Sequence, residues 1–335
     1  MAVMARTSAP LLGLLGLTGV VLVLAVSMEG ADGLFWNAMD LRYWKCIYKR
    51  TNTCPDPDIQ FYMYSSHSPY RKKIDMRSTT ALRYGGWDPH KKNVIIVHGF
   101  NSTERKAPMT IIRDAFLSRG DYNVFTVDWE PLTIFPCYLS ALSNTRLVAQ
   151  CAAQLYSHLT AHGAHAKDTL CVGHSLGAHI CGMMSNHLDK KMHKIIGLDP
   201  ARPLLDRYGK RALKLTRDDA HIVHVVHTNA GMLGEEPQVG HADFCINGGR
   251  VQPSCKGHRL RKSRCSHFLS ACYLATAVAH PGRWYATPCT SRCRPLAGSL
   301  IANPGPRMPF GEHTPDSASG TYCMAMRLHK DCPFD

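Results

Sequence analysis

Thr169-Leu170-Cys171-Val172-Gly173-His174-Ser175-Leu176-Gly177-Ala178-His179-Ile180 reads as a short apolar strand, a sharp turn and the start of a helix. At the turn stands a G-x-S-x-G pattern, residues 173–177. In such an elbow the serine takes a strained backbone conformation at the tip. Its hydroxyl then stands clear of the sheet, open to a base on one side and a carbonyl on the other. Strand and helix pass close together there, which calls for glycine at Gly173 and Gly177. The helix start also aims unpaired N–H groups at any oxyanion that forms. The competing reading is a Gly-rich turn whose serine merely caps a helix.

Outward from the elbow the pattern repeats. Residues 92–98 (Lys-Asn-Val-Ile-Ile-Val-His), 122–128, 194–198 and 220–227 are apolar runs of strand length, and 59–64 alternates like a strand at an edge. Near-continuous apolar runs belong to strands buried on both faces of a parallel sheet. Residues 107–119 and 144–159 carry helical spacing, and a further helix follows the elbow to about residue 188. This alternation predicts an α/β fold with a central, mostly parallel sheet and helices on both faces. Ligands of such sheets sit beyond the C-terminal strand ends. Phe100, Ser175, Asp199 and the Thr228-Asn229 pair stand there. Past residue 230 the chain reads as loop-rich, with one helical run at 265–279, and residues 281–335 read as irregular, Pro- and Cys-rich packing. No second domain, repeat or low-complexity tract is expected.

Residues 10–26 form an apolar run after Arg6, followed by small residues. That is the layout of a secretory signal peptide within residues 1–30, with an uncleaved signal anchor as the alternative; residues 31–335 are the folded part. Fourteen cysteines fit an oxidising, extracellular location. Their spacing suggests local staples: Cys46–Cys54, Cys137–Cys151, Cys255–Cys265, Cys289–Cys293 and Cys323–Cys332, with Cys171 and Cys181 as buried thiols. Asn101-Ser102-Thr103 is an N-glycosylation sequon. The net charge of +14 favours contact with anionic surfaces such as acidic lipid or sulfated polysaccharide. Nucleic acid is not expected, since no basic helix or basic–aromatic stripe is present.

A serine nucleophile needs a base, and the base an orienting carboxylate. Asp199 ends the strand after the elbow, ahead of Pro200, whereas Asp189, Asp206, Asp218 and Asp219 lie in polar stretches. His221, His224 and His227 lie within a strand. His241 and His267 both follow the last predicted strand, and the residues alone leave these two level as the base.

Four motifs in order decide between them: Gly173-His-Ser-Leu-Gly-Ala-His179, Gly197-Leu-Asp-Pro-Ala201, Gly240-His-Ala-Asp-Phe244 with Asn247-Gly-Gly249, and Cys265-Ser-His267. With His98-Gly-Phe100 and Val127-Asp-Trp129, they resemble the animal pancreatic-lipase family, which includes secreted phospholipases A1, from about residue 34 to the end. The resemblance implies an α/β-hydrolase fold in which Ser175 attacks, His267 is the base, Asp199 orients it, and the N–H groups of Phe100 and Leu176 form the oxyanion hole. It implies that His241 is structural and that the reaction is acyl transfer from a glycerolipid ester to Ser175, then hydrolysis. It also places a lid between Cys255 and Cys265, residues 256–264, carrying Lys256, Arg259, Arg261, Lys262 and Arg264 with no acid. Short lids, like the short second loop at 231–239, are similar to the phospholipase A1 branch, which acts at the sn-1 ester; so is the expected lack of a C-terminal β-sandwich. The lid cations suit an anionic bilayer. Three departures stand out: Leu269 and Cys245 replace common family residues, and Arg211, Lys214 and Thr216 stand where some members hold calcium with acids. No metal or cofactor is expected.

Overall fold

The computed structural model describes residues 46–66, 68–78, 80–205, 211–289, 293, 306–328, 332 and 334. The signal-peptide expectation and Asp206 lie outside them. The strands are β1 (Gln60–Ser65), β2 (Ser68–Lys73), β3 (Lys92–Val97), β4 (Tyr122–Asp128), β5 (Thr169–His174), β6 (Met192–Leu198), β7 (Ala220–His227), β8 (Ala242–Ile246), β9 (Tyr285–Pro288), β10 (Met308–Pro309) and β11 (Gly320–Met324). The helices that shape the site are α1 (Ala81–Gly85), α2 (Met109–Arg119), α3 (Tyr138–Ala161), α4 (Leu176–Met183) and α5 (Arg259–Ala279).

The strands form one sheet in the order β10-β9-β11-β8-β7-β6-β5-β3-β4-β1-β2. From β4 through β11 the neighbours run parallel; the flanking strands are antiparallel. Successive side chains of a strand point to opposite faces, and both faces are covered here. On one face Ile95, Val97, Phe125, Val127, Cys171, Ile195, Val223 and Val225 pack with Leu147, Val148, Ala152 and Leu155 of α3 and Ile180 of α4. On the other, Val94, Ile96, Val124, Val172, Ile196, Leu198 and Val226 pack with Ile112 and Phe116 of α2 and Leu269, Tyr273 and Leu274 of α5. Each such valine, leucine, isoleucine or phenylalanine taken fully from water contributes about 1.5–3 kcal/mol. The uninterrupted apolar runs of the sequence are therefore two cores written in alternate letters.

Several expectations need correction. The loop-rich region past 230 supplies two further parallel strands, β8 and β11. Both are short, and β8 carries Asp243 as its second residue, which masks the apolar signal. α3 begins at Tyr138, not 144, and α4 gives way at Met184 to a 3-10 turn. α5 begins at Arg259, so residues 259–264, expected as a loop, form its first turns.

Of the local staples, Cys255–Cys265 forms. The others are replaced by long-range bridges: Cys54–Cys151, Cys245–Cys293, Cys272–Cys332 and Cys289–Cys323. Cys171 and Cys181 are not thiols but a disulfide across the elbow. The turn lays the strand against the helix and brings their Cα atoms to 5.9 Å, inside the range a disulfide spans. Spacing along the chain could not reveal which distant segments the fold makes neighbours.

Candidate active site

The sheet order sets β7, β6, β5 and β3 side by side, and their C-terminal ends carry Thr228-Asn229, Asp199, Ser175 and Gly99-Phe100. Ser175 follows β5 directly, at φ 59° and ψ −121°, in the left-handed region unfavourable to a side chain. Its N–H donates to the Leu198 carbonyl (3.0 Å), and its carbonyl accepts from Ala178 (3.1 Å) and Ala201 (3.2 Å). Close approach explains the glycines. A Cβ on Gly173 would lie 2.2 Å from the Gly177 oxygen, one on Gly177 2.1 Å from the Val97 oxygen, and one on Gly99 2.6 Å from the Ser175 Cβ.

Asp199 also has a left-handed backbone, at φ 42°, and is fully buried. Its Oδ1 accepts the N–H groups of Thr228 and Asn229, both at 2.9 Å. Its Oδ2 accepts from Nδ1 of His267 at 2.6 Å. This fixes the tautomer: with Nδ1–H given to the carboxylate, the neutral ring keeps its lone pair at Nε2, where a general base needs it. His267 lies in α5, one turn past the buried Ser263. His174, beside Ser175, donates from Nε2 to the His267 carbonyl (3.0 Å), and the two rings lie 4.7 Å apart. Burial, reinforced by the neighbouring His267, pushes His174 down to about 3, so it stays neutral beside the base.

The oxyanion candidates flank the elbow. Among the described residues, neither the Phe100 nor the Leu176 N–H donates a hydrogen bond. The 98–100 turn is braced from beneath: His98 donates from Nδ1 to the Gly99 carbonyl (3.0 Å), accepts the Trp129 N–H at Nε2 (3.0 Å) and stacks on the Trp129 ring. The Phe100 ring meets Tyr138 edge-on at 4.9 Å. Asn101, the sequon residue, is exposed at φ 52°; its N–H donates to the Thr133 carbonyl (2.8 Å), and its side-chain oxygen accepts the Phe135 N–H (3.4 Å).

The rival residues sit elsewhere. His241 accepts the Val223 N–H at Nδ1 (3.0 Å), well before the C-terminal end of β7. Asp219 closes a capping box with Thr216, and Asp189 is exposed. Lys214 pairs with the buried Glu235 at 2.9 Å. The residues expected of the lid, Lys256, Arg259, Arg261, Lys262 and Arg264, are all exposed, while Ser263 among them and Cys265 just after them are buried. The second loop, 231–239, forms the wall behind Asp199. Glu235 N–H bonds the Pro200 carbonyl (2.8 Å), Arg202 bonds the Leu233 and Gly231 carbonyls, and Gly234 lies against the Asp199 carboxylate. Sequence reasoning missed Gly234, His174 and the buried His227–Asp243 pair. The Gly240-His-Ala-Asp-Phe244 motif was the available signal for Asp243, but nothing in it names a partner.

A parallel sheet with a serine elbow after its central strand and an Asp–His pair at the neighbouring strand end is an α/β-hydrolase fold. Residues 37–297 match the lipase family, and the chain belongs to it. It is 32% identical over 239 residues to lipase member H-B of Xenopus laevis, covering 70% of this chain and 51% of that protein. It is 31% identical over 217 residues to phospholipase A1 of Vespula vulgaris, covering 61% of this chain and 63% of that protein. The chain thus spans about half the length of the lipase H relatives that it matches. Among solved structures, a putative α/β-superfamily hydrolase from Xanthomonas campestris pv. campestris overlays 43% of this chain and 76% of its own at 18% identity and TM-score 0.34. Est1E from Butyrivibrio proteoclasticus overlays 52% of this chain and 76% of its own at 11% identity and TM-score 0.33.

Proposed function

We propose that this chain is a secreted ester hydrolase that releases the fatty acid from the sn-1 position of glycerophospholipids. Ser175 attacks the ester carbonyl as His267 Nε2 takes its proton; the Phe100 and Leu176 N–H groups hold the oxyanion; His267 returns the proton to the leaving alcohol. Asp199 keeps the ring oriented and stabilises the imidazolium. Water then repeats the sequence on the acyl-enzyme. The observation that carries this reading is the 2.6 Å bond from His267 Nδ1 to a buried carboxylate, on the sheet edge that also presents the strained Ser175. The phospholipid preference rests on the short segment between Cys255 and Cys265 and on the Vespula phospholipase A1 relative. A neutral glyceride lipase is the rival within the class, and a silent lipid-binding relative the rival outside it. Family membership, the full disulfide pairing and the predicted leader support an extracellular setting.

The partner is a lipid surface. Ile134, Phe135 and Leu139 are 54%, 57% and 62% exposed on the segment tied to the 98–101 turn, and the cations of α5 are exposed where they could meet anionic headgroups. A glycan on Asn101 would emerge beside Phe135.

The test is a phospholipid with distinguishable sn-1 and sn-2 chains, run beside a triglyceride emulsion. The expected result is sn-1 release by the wild type and none by Ser175→Ala, with organophosphate labelling lost in the same variant. Release from triglyceride alone overturns the phospholipid reading. Absence of labelling in wild type favours the silent relative.

A further inference from the structure

We propose that His227 and Asp243 form a second, buried histidine–aspartate pair, imidazolium against carboxylate, that positions Asp199 for the reaction. This rests on the ester-hydrolase reading above.

Both side chains are 1% exposed. His227 places Nδ1 3.2 Å from the Glu235 carbonyl oxygen and Nε2 2.8 Å from Asp243 Oδ1. A carbonyl oxygen has no proton to give, so Nδ1 carries its hydrogen. Asp243 accepts the N–H of Val239 on Oδ1 (3.2 Å) and of Gly240 on Oδ2 (3.1 Å), so both its oxygens stand as acceptors in the pair. Nε2 then carries a hydrogen as well, and the ring is an imidazolium. Burial alone would pull the ring down; the hydrogen bond and charge of Asp243, with Asp199 nearby, hold it above the ordinary histidine value.

Each end of this tie touches Asp199 or its neighbour. Val226, before His227, accepts the Asp199 N–H at 2.7 Å, and Thr228 and Asn229, after it, hold Asp199 Oδ1. Glu235, whose carbonyl takes the Nδ1 hydrogen, gives its own N–H to Pro200. The pair therefore pins the end of β7, the 234–235 corner and β8 into the socket that holds the carboxylate. The charged groups around the ring are Asp243 from β8, Asp199 from the end of β6, and the Glu235 carboxylate, itself paired with Lys214. His267 is bonded to the far oxygen of Asp199.

The role separates from mere packing by what changes. Removing the cation leaves the Asp199 carboxylate less restrained and its field less offset, so the His267 imidazolium becomes easier to form. On a soluble short-chain ester, His227→Gln is expected to lower kcat about tenfold or more at nearly constant KM. The acid limb of its pH–rate profile should rise by about half a unit. Asp243→Asn, which removes both charges of the pair together, should lower kcat likewise but leave the acid limb close to that of the wild type. Wild-type protein labelled with 15N-histidine should show, at pH 7.5, a ring with both nitrogens protonated. Absence of such a ring overturns the proposal even where neither variant folds. So does a folded His227→Gln with wild-type kcat and an unmoved acid limb, or one whose loss of kcat leaves that limb in place. A wild type that cleaves no ester is a different failure: it refutes the hydrolase reading, and the positioning role with it.

Discussion

Gly234 is the residue on which the smallest change has the largest expected effect. An added Cβ would lie 2.4 Å from Asp199 Oδ1, and the carboxylate has no room to retreat because Thr228 and Asn229 already hold it. Gly234→Ala is expected to fold, since its backbone angle is unexceptional, and to cut kcat about 100-fold by shifting the acid. Steady-state kinetics beside a melting curve checks this; unchanged kcat would show the carboxylate free to yield. Ser175 and Asp199 were legible because each stands at a predicted strand end, where the chemistry of such sheets gathers. His267 was not separable from His241 without the family resemblance, since nothing local says which of the two the fold brings back to the strand ends. Gly234 was invisible for the same reason: its partner is 35 positions upstream, and only the fold brings them together.

At the scale of elements, α5 matters most. Its first turn carries Arg259, Arg261 and Lys262, no acid and no side-chain cap at His258. Cations at a helix N-terminus oppose the helix dipole. The Cys255–Cys265 bridge spans this turn and offsets that cost. The sequence read these residues as a loop because their charge hid a run of good helix formers. Two variants separate the surfaces proposed for lipid contact. Reversing Arg261 and Lys262 to Glu should weaken activity on anionic vesicles about tenfold and leave neutral vesicles nearly unchanged. Changing Ile134, Phe135 and Leu139 to Ser should weaken both and spare a soluble ester. Equal losses on every substrate would refute both contacts.

The whole molecule is a sheet with two cores, and most of it was readable as apolar runs with helical runs between them. The parallel strands after residue 230 were not, because short strands with a buried Asp or Thr lack the run that marks their neighbours. The same interior makes acid sensitivity a global property. Burial pushes His174 down to about 3, His179 to about 4 and His224 to about 3. Unfolded, each takes up a proton near 6.5; folded, each refuses it until far lower pH. Their contribution is whole above pH 6.5 and is lost as pH falls towards 4 and 3, at about 1.4 kcal/mol per unit for each ring. His227 runs the other way, adding stability below its ordinary value and losing it as pH rises through its raised one. Among the described residues neither ring nitrogen of His224 has a hydrogen-bond partner, so His224→Phe should keep the fold and flatten the fall of Tm between pH 7 and 5. An unaltered slope in thermal melts would count against a neutral His224.

The unbroken run of α5 from Arg259 to His267 has a mechanical meaning. Eight residues of helix span about 12 Å, so a tilt of only five degrees at the outer turn swings the base by about 1 Å. Gripping a particle at one end is thus a load on a lever whose other end sets proton transfer. The packing of α5 over the sheet and the Cys255–Cys265 staple resist that tilt.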